Sequence, residues 1–254
     1  MPIVDFEGSR LHYREAGKPG APLLALLPGN TASSACHDGE LQHFGAKFHV
    51  VALDLPGTGG SDRIATWPDD WFDLGARATA ALVVGLGGKP AVLVGCSGGA
   101  IIALRLAAAR PDLVRAVIAD SGLGRIEPAG LRVEVAHRAQ RTSGQVGFWR
   151  LSQGDDWERV VNADSAFLLS LAGRGGDAVG DALGRIRCPV LLTGSARDDL
   201  VPGLAAGLVA MLGEIPDARA FVAGSGGHPL MWSRPAEFRA AADVFLRMVV
   251  GADA

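Results

Sequence analysis

The chain has 254 residues, 48% of them hydrophobic and 20% charged, which is the composition of a folded protein and excludes a disordered one. A net charge of -3 and a pI near 6.1 leave no basic surface for a nucleic-acid backbone or an acidic membrane. No apolar stretch reaches the ~20 residues of a membrane span, and residues 1–5 lack the basic-then-apolar pattern of a signal peptide.

Residues 3–6 and 11–15 flank Glu7-Gly8-Ser9-Arg10 and predict an opening hairpin. Short apolar runs then alternate with helical patterns. Strands are expected at 23–27, 48–53, 91–95 and 114–120, with helices at 39–46, 70–86 and 98–110. Further along, strands at 190–193 and 218–222 alternate with helices at 204–212 and 235–250. Continuous apolar strands separated by helices predict an α/β fold whose sheet is mostly parallel and covered on both faces.

Residues 122–185 break this rhythm, so the expected core comprises 1–121 and 186–254. The interruption has helical spacing at 158–171 and holds Phe148, Trp149, Trp157 and Phe167. It reads either as a helical insertion packed on the sheet or as a lid over a site. Long insertions in such folds tend to be functional, and the chemistry below favours the lid.

A buried strand runs into Gly95-Cys96-Ser97-Gly98-Gly99, and a helix follows at once. This is the pattern of a nucleophile elbow, a tight turn that projects a serine at the end of a sheet. Small neighbours relieve the crowding, and the helix amino terminus faces the place where negative charge develops. A serine hydroxyl also needs a base and an orienting acid. Of the two histidines after Ser97, His137 lies inside the insertion, whereas His228 follows the last strand in the loop Gly224-Ser225-Gly226-Gly227-His228-Pro229. His228 is therefore the expected base. Asp198, its neighbour Asp199 and the strand-ending Asp120 are the candidate acids. Cys96 reads as a small apolar filler aimed away from the serine position.

These motifs together resemble the α/β-hydrolase superfamily over nearly the whole chain, in its branch of small, lidded esterase-like serine enzymes. Leu27-Pro28-Gly29-Asn30 resembles the family's oxyanion loop, with Pro28 where histidine is common. Asp54-Leu55-Pro56-Gly57-Thr58-Gly59-Gly60-Ser61 resembles its Asp-x-x-Gly-x-Gly-x-Ser segment, with Thr58 where histidine is frequent. Asp198-Asp199-Leu200-Val201-Pro202 is similar to the acid loop, in which the acid stands four residues before the proline, and this favours Asp198. The insertion loosely resembles that of small-cap members of the valacyclovir-hydrolase type.

The resemblance implies an α/β-hydrolase fold and a Ser97–His228–Asp198 triad. By motif position it implies an oxyanion hole from the amides of Asn30 and Gly98, and Trp149 and Trp157 are the candidate substrate contacts in the insertion. The expected reaction is hydrolysis of a carboxylic ester or lactone through an acyl-enzyme. Thioester, amide or C–C hydrolysis and cofactor-free perhydrolysis use the same groups and stay open. Dehalogenase and epoxide-hydrolase members use an aspartate nucleophile, where this chain has Ser97. A non-catalytic ligand binder is the other class, expected to have lost one of the three positions. Cys36, Cys96 and Cys188 show no metal-ligand spacing, and no two histidines pair at helical metal-binding spacing. The expectation is thus a small-molecule substrate, no cofactor or metal, no nucleic-acid or membrane partner, and a reducing, cytoplasmic setting; oligomeric state stays open.

Overall fold

Runs of Val, Leu and Ala without a charge are stable only when both faces of a strand are covered. In a computed structural model, which describes residues 2–251, such runs form the centre of one sheet. The chain enters through the hairpin β1 (Ile3–Phe6) and β2 (Ser9–Ala16), then β3 (Leu23–Leu27), α1 (Asp38–Gly45), β4 (His49–Leu53) and α2 (Trp71–Gly85). It continues through β5 (Ala91–Cys96), α3 (Gly98–Ala109) and β6 (Val114–Asp120). The insertion contributes α4 (Pro128–Arg138), α5 (Ser143–Gln153), α6 (Trp157–Gly173) and a short 3-10 segment at Gly180–Arg185. The core resumes with β7 (Val190–Ser195), α7 (Leu204–Glu214), β8 (Ala218–Ala223), α8 (Leu230–Ser233) and α9 (Pro235–Val250).

Among the described residues the sheet has eight strands, ordered β1-β2-β4-β3-β5-β6-β7-β8. The β1–β2 and β2–β4 pairs are antiparallel, and the remaining pairs are parallel. One face is covered by α2, α3 and α7 through side chains such as Trp71, Ile102 and Leu208. The other is covered by α1 and α9 through Phe44, Phe238 and Phe245. Each such fully buried side chain stabilises the fold by roughly 1.5–3 kcal/mol. Because β5 to β8 are parallel, their carboxyl ends emerge at one edge, and the loops carrying Ser97, Asp198 and His228 follow those ends.

The insertion is anchored in two ways. The apolar stripe of α6, including Val160, Phe167, Leu168 and Leu171, belongs to the main core, with Phe167 edge-on to Phe72 at 4.9 Å. Trp149, Trp157 and Val161 form a small cluster of their own.

The core elements fall within a few residues of their expected bounds. Helices α4, α5 and α8 have no counterpart among the elements expected from the sequence. The start of α5 was legible as a capping box, in which Thr142 Oγ1 accepts from the Gln145 N–H while the Gln145 side chain accepts from the Thr142 N–H. Helix α8 is a single turn, too short to show a period.

Candidate active site

The turn from β5 into α3 is tight because two glycines let backbone approach backbone. A β-carbon on Gly95 would collide with the carbonyl of Gly99, and one on Gly98 would collide with Asn30 Oδ1. Between them Ser97 adopts φ 53° and ψ -120°, a conformation that non-glycine residues hold only when the surroundings enforce it. The bond from the Ser97 N–H to the Asp120 carbonyl, 2.8 Å, ties the turn to the end of β6.

His228 arrives from the loop after β8. Its Nδ1 donates to Asp198 Oδ2 at 2.9 Å, and both side chains are almost entirely buried. Asp198 Oδ1 accepts the N–H groups of Leu200 at 3.0 Å and Val201 at 2.7 Å. Burial pushes the Asp198 carboxyl up, but the hydrogen bond and charge of His228 and the two amides outweigh it, holding the group below the usual carboxylate range. Asp198 therefore stays ionised and can orient an imidazole and stabilise its charged form.

The other two candidate acids have separate roles. Asp199 Oδ1 accepts the backbone N–H of His228 at 2.8 Å, so it shapes the loop without touching the ring. Asp120 is fully buried, accepting from Thr193 Oγ1 at 2.7 Å and from the Met231 N–H at 2.9 Å. Desolvation lifts its carboxyl to about 6 despite those bonds.

Ser97 and His228 line the same cavity, of about 410 Å³, with Asn30, Phe148, Trp149 and Trp232. His228 Nε2 is buried and engages no hydrogen-bond partner among the described residues. Catalytic hydrogen bonds are often long in unliganded sites and tighten only with substrate. Asn30 and Gly98 are neighbours, since a β-carbon on Gly98 would lie 3.4 Å from Asn30 N. Neither backbone N–H is taken by a backbone acceptor among the described residues. Cys96 is wholly buried beneath the turn, and burial pushes its thiol far up, consistent with a filler rather than a nucleophile.

Three segments line this cavity: the carboxyl edge of the sheet, the loop after β3 and the insertion. That combination can be compared with known proteins. The model of the alpha/beta hydrolase family matches residues 24–241. The chain belongs to the alpha/beta hydrolase family. Human serine hydrolase BPHL is 28% identical to this chain over 260 residues, covering 96% of this chain and 85% of the human protein. Mouse epoxide hydrolase 3 is 31% identical over 122 residues, which is 48% of this chain but only 33% of the mouse protein. A thermophilic esterase from Thermogutta terrifontis superposes with a TM-score of 0.77 over 98% of each chain at 22% identity, a likeness of fold.

Of the two tryptophans singled out in the sequence, Trp149 lines the cavity. Trp157 is not among its lining residues. It stacks behind Trp149 with ring centroids 5.3 Å apart, and the Arg141 guanidinium covers its ring at 5.4 Å. Sequence reasoning missed Trp232, four residues after His228 on α8, and the insertion's Arg138 and Asp164. Asp164 carried a signal: it sits in the buried stripe of α6 that runs Trp157, Val160, Val161, Phe167, Leu168, Leu171. A carboxylate at such a position must have partners.

The 54–61 loop lines none of this cavity. Asp54 accepts from His12 Nδ1 at 2.6 Å, from the Ser34 N–H at 2.6 Å and from the Gly60 N–H at 2.7 Å, fastening that loop beside the segment after β3. No metal-binding cluster and no helix long and apolar enough to cross a membrane occur among the described residues.

Proposed function

We propose that this chain is a serine hydrolase that cleaves a carboxylic ester or lactone through an acyl-enzyme. Ser97 Oγ attacks the carbonyl carbon while His228 Nε2 takes the hydroxyl proton, and ionised Asp198 holds Nδ1–H and balances the imidazolium. The N–H groups of Gly98 and Asn30 donate to the tetrahedral oxyanion. Collapse expels the alcohol, which takes its proton from His228. Water, deprotonated by His228, then attacks the acyl carbon, and the acid leaves with Ser97 restored.

The carrying observation is the pairing of strained Ser97 at the end of β5 with His228 in one cavity, the far nitrogen of the imidazole being held by Asp198. Epoxide opening is poorly suited to this nucleophile. Serine addition to an epoxide would leave an ether that water does not cleave, whereas an acylated serine is a hydrolysable ester. The filled triad positions also argue against a ligand binder.

Residues 122–185 act in this reading as a lid that selects substrates, since α5 places Phe148 and Trp149, and α4 places His137, in the cavity wall. The three cysteines are free, which fits the cytoplasmic setting expected from the sequence. The test is covalent labelling by a fluorophosphonate, together with turnover of a panel of esters, lactones, thioesters and amides by wild type and Ser97→Ala. Labelling and ester turnover in wild type alone are expected. Equal labelling of both proteins, or labelling at Cys96, would overturn the assignment.

A further inference from the structure

Asp164 is fully buried in the middle of an apolar helix stripe. A carboxylate there costs several kcal/mol unless its oxygens are engaged. Both are: Oδ1 accepts from Asn30 Nδ2, and Oδ2 accepts from Arg138 Nη1. Arg138, at the end of α4, in turn donates through Nε to Glu134 at 2.8 Å. Its burial acts against the charge, but Asp164 and Glu134 outweigh that and keep the guanidinium protonated.

A buried ion pair is a poor way to gain stability, because well-packed apolar side chains do as well or better. It does fix direction, and this one is aimed at Asn30. The Asn30 carboxamide lies against Gly98, where a β-carbon would strike its Oδ1. One amide side chain is thus clamped between the insertion and the first residue of α3. The next residue, Thr31, has φ 58°, so the loop needs outside support. It receives it from α5: Gln153 Nε2 donates to the carbonyls of Thr31 at 2.9 Å and Ala32 at 3.0 Å, and Trp149 Nε1 donates to Thr31 Oγ1 at 3.3 Å.

We propose that Asp164 is a positioning residue for hydrolysis: by gripping the Asn30 side chain it aims the Asn30 backbone N–H at the oxyanion formed on Ser97. The proposal rests on the serine-hydrolase reading above. It makes the insertion half of the oxyanion hole's support as well as a selector of substrates. Because the oxyanion exists only along the reaction path, a misaimed donor lowers kcat and leaves ground-state binding nearly alone.

The experiment is a double-mutant cycle of Asp164→Asn and Asn30→Ala, read as kcat and KM on the best ester, with fluorophosphonate labelling beside it. Asn30→Ala keeps every backbone N–H, so any loss reports aim rather than a missing donor. Losing one oxyanion donor costs about 10²–10³ in kcat, and misaiming one is expected to cost about 10–100-fold in each single variant. KM should stay within about threefold, and the double variant should be no slower than the slower single one, since both remove the same grip. Losses that multiply in the double variant, or a folded Asn30→Ala protein with wild-type kcat, would overturn the proposal. If Asp164→Asn does not fold, Asn30→Ala decides alone. Wild type that neither turns over esters nor takes the label would instead overturn the serine-hydrolase reading, a distinct result.

Discussion

The sheet edge and the insertion reach one cavity by different means. The edge delivers its groups through backbone: Ser97 is presented by a turn that two glycines permit, and Asp198 is held by two amides of its own loop. The insertion delivers its groups through long side chains crossing between elements, as Gln153 and Trp149 do to the loop after β3 and Asp164 does to Asn30. The difference implies a division of labour. Backbone-built positions are stiff and suit bond making, whereas side-chain bridges can be exchanged one at a time and suit tuning.

The sharpest way to break this division is at its stiff end. Ser97→Ala should remove about 10⁴–10⁶ of kcat and all fluorophosphonate labelling, with the melting temperature nearly unchanged. Residual turnover near wild type would mean the elbow is not the reacting centre. Next in size is Asp198→Asn, expected to cost roughly 10⁴ in kcat by favouring the wrong His228 tautomer. Asp199→Asn and Asp120→Asn should cost far less, because one carboxylate holds only the loop and the other bonds Thr193 and Met231. A ranking with Asp120→Asn the most damaging would put the acid on β6.

The same division explains what was legible in the sequence. Ser97, His228 and Asp198 sit in local motifs whose spacing encodes backbone shape, and the apolar strands announce the sheet by composition alone. The insertion's contributors carry no such local signature. Arg138 and Asp164 lie 26 residues apart and become partners only when α4 packs on α6. Gln153 is an ordinary polar residue at a helix end until three carbonyl or amide groups of other loops meet it. The two tryptophans looked equivalent in sequence because composition marks aromatic content but not which ring faces the cavity.

That last distinction gives a prediction of intermediate size. Trp149→Ala should change the ranking of short against long acyl esters by tens-fold at most, the scale of one lost apolar contact worth about 1–3 kcal/mol. Trp157→Ala should move the ranking less, since its ring backs Trp149 rather than lining the cavity. The measure is kcat/KM across an acyl-length series. An equal or larger change from Trp157→Ala would show that the insertion repacks as a unit.

The smallest expected effect concerns stability beneath the site, where two buried core groups titrate with opposite sign. Desolvation holds His37, which packs against Trp232 at 5.7 Å, down at about 4. Between that value and the ordinary 6.5 the unfolded chain takes a proton that the folded chain refuses, so His37 makes stability fall as pH falls. Asp120 stands at about 6 against an ordinary 3.8, so between those values the folded state holds a proton that the unfolded state has released. Its contribution is fully present below the lower value and is lost as pH rises through the upper one. The two slopes oppose each other between about pH 4.5 and 6, and the wild-type melting temperature should be nearly flat there. Asp120→Asn removes one slope and leaves the other. Over pH 6.5 to 4.5 the variant should lose about 2 kcal/mol relative to its own value at pH 6.5, or roughly 4–8 °C for a chain of this size. His37→Gln should tilt the profile the opposite way. Comparing slopes rather than absolute melting points cancels the constant cost of the hydrogen bonds each substitution disturbs. An Asp120→Asn profile parallel to wild type would mean that folding does not hold a proton on that carboxylate, and the buried end of β6 would then be charged throughout.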